Sequence, residues 1–554
     1  MTNDDIADYL KLYSQLLDLH GLDDFRAKSY ANASFRIDKL GLDLMPLSVA
    51  EMEKVDGIGK SLAQKIDAIK TTETFPELSK LMEKTPEGVV QMLRVKGIGP
   101  KKVGQLWREL GLESIGELLY ACNENRLVAL KGFGEKTQTA IIDSIGFIEA
   151  NSGKYHFAKV EKAAMELLEH FREFEMVDRA EFTGELRRKC EILEEAEFLV
   201  ETLQSNAFEL HVAKQFGLET FQYEETGSYH FTYNQWLPCR VYFCEKADFE
   251  RQWLATTGNL AHLSQIGFKR DVLVESETKF YENAGIPFII PELREGLQET
   301  ENAKAGKYTD LIETADLKGV LHNHSKYSDG MHSLEEMAVY AKEQGYQYLG
   351  MADHSLTAAY AGGLSIERVQ EQHREIDQLN QRLAPFKVFK GIESDILGDG
   401  SLDYPDEVLS TFDFVVASVH QNLTMTEDKA MPRLLKAIEN PYTTILGHPT
   451  GRLLLSRPGY PIDHRKIIDA CAANGVAIEL NAHPYRLDVD WRWLWYCMEK
   501  AVPVSINPDA HRKEGYHDMY YGVCAARKGG LTKEYTLNAV GREGISKYFG
   551  GKRG

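Results

Sequence analysis

Gly319-Val320-Leu321-His322-Asn323-His324-Ser325-Lys326-Tyr327-Ser328-Asp329-Gly330 passes from a short apolar run into a polar turn. On a strand, residues i and i+2 project to one face, so His322 and His324 are expected to point together. Asp329 can return to the same spot after the turn. Two imidazoles converging with a carboxylate suit a first-row metal better than an apolar core. An isolated HxH pair is more often a structural accident, so its meaning depends on what surrounds it.

Downstream, short apolar runs alternate with longer helix-like segments. After Leu321 the runs are Tyr348-Leu349-Gly350-Met351-Ala352, Val388-Phe389-Lys390-Gly391-Ile392 and Phe414-Val415-Val416-Ala417-Ser418-Val419. They continue as Thr444-Ile445-Leu446-Gly447, Val476-Ala477-Ile478-Glu479-Leu480 and Val502-Pro503-Val504-Ser505-Ile506. Seven strands, each followed by a helix or long loop, imply a (β/α)7 barrel, open or distorted relative to the eight-stranded form. At the C-terminal ends of these runs stand His322, His324 and Asp329, then Asp353-His354, Glu393, His420, His448 and Asp509-Ala510-His511. Strand ends of a barrel meet on one face, where such folds keep their active sites. His322, His324, Asp329, His354, Glu393, His420, His448, Asp509 and His511 are too many ligands for one metal and suit about three ions. Histidine and carboxylate ligands accept Mn²⁺ or Zn²⁺, so ligand type leaves the metal open. Clustered divalent ions point to phosphoester hydrolysis without a side-chain nucleophile. Asp353 is a candidate to orient His354 or move a proton, and Arg452, with Arg457 and Arg512, to bind phosphate oxygens. His332, His373, His464, His483 and His517 fall outside the ligand frame and read as surface or supporting groups.

The chain has 554 residues, too many for one core. Its seven cysteines are scattered and contain no CxxC pair, which fits free thiols in a reducing cytoplasm. Met1-Thr2-Asn3-Asp4-Asp5 lacks the basic and apolar regions of a signal peptide, and no apolar run is long enough to span a bilayer. We expect a cytoplasmic protein with no membrane partner, acting as a monomer. A formal net charge of -20 discourages indiscriminate nucleic-acid binding over the whole surface but leaves room for local DNA sites.

The first 45 residues or so read as helical. Asn3 or Asp4 is placed to cap a helix carrying Ile6, Leu10, Tyr13, Leu16 and Leu17, and Gly21 is placed to stop it. Three glycine hairpins follow: Val55-Asp56-Gly57-Ile58-Gly59-Lys60, Val95-Lys96-Gly97-Ile98-Gly99-Pro100-Lys101 and Leu130-Lys131-Gly132-Phe133-Gly134-Glu135-Lys136. Glycine permits the turn and a close backbone approach, and the amides of the new helix offer donors to a phosphate. One GxG is an ordinary helix-helix turn. Three in one frame favour DNA backbone binding by Gly57, Gly59, Lys60, Gly97, Gly99, Lys101, Gly132, Gly134 and Lys136, and they resemble helix-hairpin-helix motifs.

From about residue 151 the pattern changes to a helix around Val160–Phe171 and a strand-turn-strand through Ala180–Arg188 and Ala196–Val200. With the hairpins before it and the histidine-rich barrel after it, the whole chain resembles a bacterial family X DNA polymerase with a C-terminal PHP (polymerase and histidinol phosphatase) domain. All nine barrel positions match that domain's ligand pattern. The resemblance implies that His322, His324, Glu393 and Asp509 hold one ion, while Glu393, His354, His420 and His448 share in the others with Asp329 and His511. The family often uses manganese.

The polymerase part departs from the family pattern where catalysis needs it. Gly184-Glu185-Leu186-Arg187-Arg188 puts glutamate at a triphosphate-contacting serine, the Asp-x-Asp pair becomes Glu195-Ala196-Glu197, and the third aspartate falls on Pro238. Two-metal nucleotidyl transfer needs rigid ligands that hold its ions about 3.5–4 Å apart. Longer glutamates and a proline supply this poorly, and Glu185 repels a triphosphate. Thr257-Gly258-Asn259 still resembles the family's sugar-contacting turn. Lys65 matches the lyase lysine of related vertebrate polymerases, although a solvated helix lysine is the commoner reading.

These readings give a multidomain α/β chain. Residues 1–80 form a small helical helix-hairpin-helix domain and 81–150 a fingers-like one. A degenerate palm occupies 151–236, a thumb-like domain 237–297, a polar linker 298–312 and the PHP barrel 313–554. The function expected is a metal-dependent 3'-5' exonuclease, with AP endonuclease or 3'-phosphatase as variants, on nicked or gapped DNA. An active gap-filling polymerase with a proofreading barrel, or a DNA-binding scaffold with a small-molecule phosphatase, are the alternatives.

Overall fold

The computed structural model describes residues 1–551 apart from 124–126, 128, 129, 131, 218–221 and 224–226, so Lys131 of the third hairpin lies outside the described residues. The chain divides into two compact units, Met1–Ser152 and Gly153–Gly554.

The first unit is helical. Its opening helix, Asn3–Leu19, is capped by Thr2 in a reciprocal box with Asp5, one residue before the expected cap. Ile6, Leu10, Tyr13, Leu16 and Leu17 are buried on it as their spacing predicts. The three hairpins share one geometry. Gly57, Gly97 and Gly132 take φ of +81°, +93° and +90°, a region that side chains resist. The residue between each glycine pair, Ile58, Ile98 or Phe133, is buried. Gly59, Gly99 and Gly134 directly precede the helices Lys60–Thr72, Pro100–Leu110 and Glu135–Asn151. Nothing lies within 4 Å of where their Cβ would stand. All three hairpins share one apolar core that runs from Ile6 to Ile145, so the expected division near residue 80 separates no independent cores.

The second unit contains two sheets that matter here. The smaller has five strands in the order Arg179–Phe182, Ala196–Glu201, Leu237–Cys244, Ser228–Tyr233, Gln222–Tyr223, with only the second and third parallel. Gly184–Arg187 is a helical turn between the first two strands. Leu237–Cys244 is hydrogen-bonded on both sides within this sheet, so the boundary expected at 236/237 would split it. The segment expected as a linker is also structured. Glu299–Lys304 is a helix, and buried Glu299 accepts from the Gly296 and Leu297 amides and pairs with His262.

The larger sheet has seven parallel strands, β1 (Gly319–Val320), β2 (Tyr348–Met351), β3 (Lys387–Asp395), β4 (Phe414–Ser418), β5 (Ile445–Leu446), β6 (Ala477–Asn481) and β7 (Val504–Asn507). They pair in sequence order with helices between them, as the alternating runs predict, and form a nearly closed barrel. Phe414 fills the interior and stacks on Phe549 of the C-terminal helix Arg542–Gly551, ring centroids 5.0 Å apart. No ladder joins β1 to β7. Instead buried Asn538 spans the seam, donating to the carbonyls of Gly319 and Ile506 and accepting from the Ile506 amide. Among the described residues no helix is long and apolar enough to cross a membrane.

Three hydrogen bonds to one buried amide across a seam that otherwise has only the isolated Asn323–Ala510 bridge beyond the strand ends make Asn538 hard to replace. Asn538→Ala is expected to lower the unfolding free energy by roughly 2–4 kcal/mol, because it strands buried partners as well as losing its own bonds. Chemical denaturation of both proteins measures this, and a loss below about 0.5 kcal/mol would show that the seam is held elsewhere.

Candidate metal centre

Four residues of the candidate site, His322, His420, His448 and Asp509, each stand two residues beyond the end of a strand, and Glu393 lies within β3. Three of the four take positive φ, His322 at +58°, His448 at +22° and Asp509 at +51°. Such strain concentrates where a side chain must be aimed. It also changes the reason His322 and His324 converge. The strand ends at Val320, so a left-handed kink at His322, with the His324 amide bonded to the Ala510 carbonyl, brings them together rather than strand alternation.

Glu393 is the hub. Its carboxylate lies 2.9 Å from His354, 3.0 Å from His448, 3.1 Å from His420, 3.2 Å from His322 and 3.6 Å from His324. Asp509 stands 3.0 Å from His324 and 3.6 Å from His322. Asp329 faces His511 at 3.3 Å, His354 at 3.6 Å and His324 at 3.9 Å. All nine predicted positions are therefore brought together. They form overlapping groups fit for ions: His324, Asp329, His354 and His511; His322, Glu393 and His448; His322, His324 and Asp509; His354, Glu393 and His420.

Burial would raise the Glu393 carboxyl, but His420, His322 and His354 hold it well below the usual range. Burial works against the His420 imidazolium as well, and Glu393 and Asp395 overcome it, pushing the ring up to about 10. His324 goes the other way, down to about 3, through burial and the proximity of His511 and His354. His322 Nε2, His324 Nδ1 and Glu393 Oε2 are buried and make no hydrogen bond of acceptable geometry. Donor atoms left this way inside a histidine-carboxylate cage fit divalent cations of the Mn²⁺ or Zn²⁺ kind.

The imidazoles are oriented from behind. His322 Nδ1 donates to Glu479 (2.6 Å), His420 Nδ1 to Asp395 (2.5 Å) and His511 Nδ1 to the Asp509 carbonyl (2.9 Å). Each contact fixes the tautomer that turns Nε2 toward the cluster. Glu479 also accepts from the His448 amide and from Asn507, so one buried carboxylate sets two candidate ligands. Glu479, Asp395 and Asn481, which donates to Asp509, escape a search for strand-end ligands. A carboxylate inside the apolar run Val476–Leu480 was the available signal. Arg486 was also missed. Its guanidinium meets Asp509 at 3.2 Å.

Two candidates do other work. Asp353 accepts from the amides and hydroxyls of Ser325 and Ser328 and from Gln372, so it pins the loop between His324 and Asp329 and does not face the cluster. Arg452 donates to Asp490 and to the carbonyls of Arg486 and Leu487, bracing that loop with one hydrogen bond from each guanidinium nitrogen.

In the five-stranded region the charged residues among the expected polymerase positions are engaged by other protein groups. Glu195 pairs with Arg240 at 2.7 Å. Glu197 accepts from the Glu185 amide and the Tyr242 hydroxyl, and burial pushes its carboxyl up to about 7. Arg187 stacks on Trp253 and forms a bidentate pair with Glu277, which accepts a second bidentate pair from buried Arg294. Despite its burial, those two arginines hold the Glu277 carboxyl down to about 2. Arg188 binds Glu295, which also receives Lys528 from the barrel. Pro238 lies opposite Thr232 in the sheet and offers no ligand. Among the described residues, no group fit for an ion includes Glu185, Glu195 or Glu197. In the first unit, Lys60 and Lys136 are exposed, Lys101 pairs with Asp24 at the surface, and Lys65 is held by Glu77 at 2.6 Å.

Comparison with known proteins agrees with this layout. Residues 1–75 match the family described as helix-hairpin-helix domain, 89–146 the SAM-like helix-hairpin-helix tandem, and 321–483 the PHP domain. A probable phosphatase of Syntrophotalea carbinolica is 28% identical over 39% of this chain and 90% of its own length. One from Thermoanaerobacter sp. (strain X514) is 26% identical over 43% of this chain and 97% of its own. The DNA polymerase/3'-5' exonuclease PolX of Bacillus subtilis (strain 168) is 33% identical across 99% of both chains. The chain belongs to the PolX family, the bacterial family X DNA polymerases with a C-terminal PHP domain.

Proposed function

We propose that the chain is a metal-dependent phosphodiesterase that shortens DNA from 3' ends at nicks and gaps, and that its polymerase-like region holds DNA without extending it. The observation that carries this reading is the contrast between its two acidic centres. Glu393 and the eight residues around it converge with donor atoms left over, whereas Glu195 and Glu197 are spent on protein partners.

Three ions of the Mn²⁺ or Zn²⁺ kind would be held by His322, His324, Asp329, His354, Glu393, His420, His448, Asp509 and His511. Bound there, they supply Lewis acidity for in-line attack of water on phosphorus. Glu479 and Asp395 keep the imidazoles in register. Arg486, beside Asp509, is the guanidinium suited to a non-bridging phosphate oxygen. In the helical unit the exposed glycines and lysines of the hairpins offer amide and ammonium donors to a DNA backbone. The Lys101–Asp24 pair is a surface pair of little worth, so a phosphate can displace it. The probable phosphatases matched by the barrel alone support a second reading, hydrolysis of phosphomonoesters, including a 3'-phosphate.

Manganese-dependent loss of a labelled primer 3' end is the direct assay. The double variant His322→Ala, Asp509→Ala is expected to lose more than about 100-fold in rate. Undiminished cleavage by it would defeat the assignment, and release of phosphate from a 3'-phosphorylated strand without further shortening would favour the second reading. Glu479→Gln, which leaves one acceptor oxygen for His322 or for the His448 amide but not for both, should weaken manganese binding by about 10- to 100-fold in a direct metal titration. Unchanged affinity would remove Glu479 from the site's support. On a one-nucleotide gap, we expect no incorporation from the wild type. Incorporation that disappears in Glu195→Ala, Glu197→Ala would instead restore a polymerase.

A further inference from the structure

Tyr485 leaves 43% of its surface exposed although the loop around it is tightly fastened. Its amide donates to His483 Nδ1 at 3.2 Å, and its carbonyl accepts from the Leu454 amide at 2.7 Å. The two carbonyls that follow are bound by Arg452. None of these contacts uses the ring. One ring face lies against His156, with centroids 4.2 Å apart and planes 33° from parallel. His156 is itself fixed, with Nε2 donating to the Leu454 carbonyl at 3.0 Å. The ring's edge meets His483 at a centroid distance of 5.3 Å.

This exposed aromatic is one residue along the chain from a direct contact with the candidate metal centre. The next residue, Arg486, reaches Asp509, and His483 shares its surroundings with Asp509 and His511. Because Tyr485 N–H occupies His483 Nδ1, the neutral ring presents its remaining N–H as a donor. A backed aromatic surface beside a guanidinium and an imidazole donor has the composition of a site for one nucleotide: a flat partner for a base, and cationic or neutral donors for its phosphate.

The geometry points to a nucleobase platform: the Tyr485 ring, backed by His156, takes the base of the nucleotide whose phosphate lies at the Glu393 cluster, with Arg486 and His483 donating to that phosphate. It rests on the phosphodiesterase reading for the location of the phosphate, and it adds that the enzyme recognises a terminal base as well as a backbone. A small phosphomonoester would gain nothing from it.

The test uses DNA ending in a 3' fluorescent purine analogue whose emission falls on stacking, mixed by stopped flow with the full-length, manganese-loaded protein. Quenching ahead of cleavage is expected for the wild type and Tyr485→Phe, and its loss for Tyr485→Ala. In the same series kcat/KM on base-ended DNA should fall about 5- to 100-fold in Tyr485→Ala. DNA ending in an abasic tetrahydrofuran residue should be cut equally by variant and wild type. His156→Ala should shift both readouts in the same direction, and unchanged manganese content controls for folding. An equal loss on both DNAs, or quenching that survives Tyr485→Ala, overturns the platform. Quenching without cleavage keeps the platform and overturns the phosphodiesterase reading. Cleavage indifferent to the terminal base does the reverse.

Discussion

A carboxylate buried away from water is costly unless opposite charge stands beside it, and Glu393 has five imidazoles within 3.6 Å, of which His322 and His420 are shifted toward the charged form. The barrel's mouth is arranged around this requirement. The rings come from the loops after β1, β2, β4 and β5, so no single element can supply the compensation, and the strand ends must sit in register for Glu393 to be tolerated at all. Behind the rings, Glu479 and Asp395 repeat the problem one layer out and solve it the same way, by accepting from His322 and His420. The strained backbone at His322, His448 and Asp509 is the conformational cost of aiming these groups inward.

The same electrostatic logic, with other partners, closes the polymerase-like region. Arg187 and Arg188 follow Glu185, which stands where the family resemblance places a triphosphate-contacting serine, and each is matched by a buried or half-buried glutamate, Glu277 and Glu295. Lys528, on the helix Met519–Lys528 of the barrel, completes the second pair, so Arg188 and Glu295 tie this region to the barrel. Glu197 is folded under Gly184, where a side chain is excluded because its Cβ would meet the carboxylate at 1.5 Å.

Local signals carried far in this chain. Alternating apolar runs correspond to the seven barrel strands, the three GxG motifs to three hairpins with one backbone geometry, and the strand-end histidines and carboxylates to one cluster. Other features needed partners distant in the chain. The polar composition around residues 298–312 reads as a linker, but buried Glu299 is satisfied by His262, and the segment packs. The run Leu237–Cys244 reads as the start of a new domain, but strand pairing on both sides makes it the centre of a sheet. Asp353 and Arg452 have the residue types of catalytic groups, and their hydrogen bonds make them braces.

By itself the sequence determined the order of domains, the barrel's strands and the membership of the candidate metal cluster, because periodicity, glycine φ preference and position at a strand end are properties of short stretches of chain. Only the tertiary structure decided which carboxylates are free to hold a cation and which are already spent, and that Glu479, Asp395 and Arg486 stand beside the cluster. The charge state and direction of a buried side chain are set by its neighbours in space. Here those neighbours lie far along the chain, 157 residues for Glu479 from His322 and 185 for Asp509 from His324.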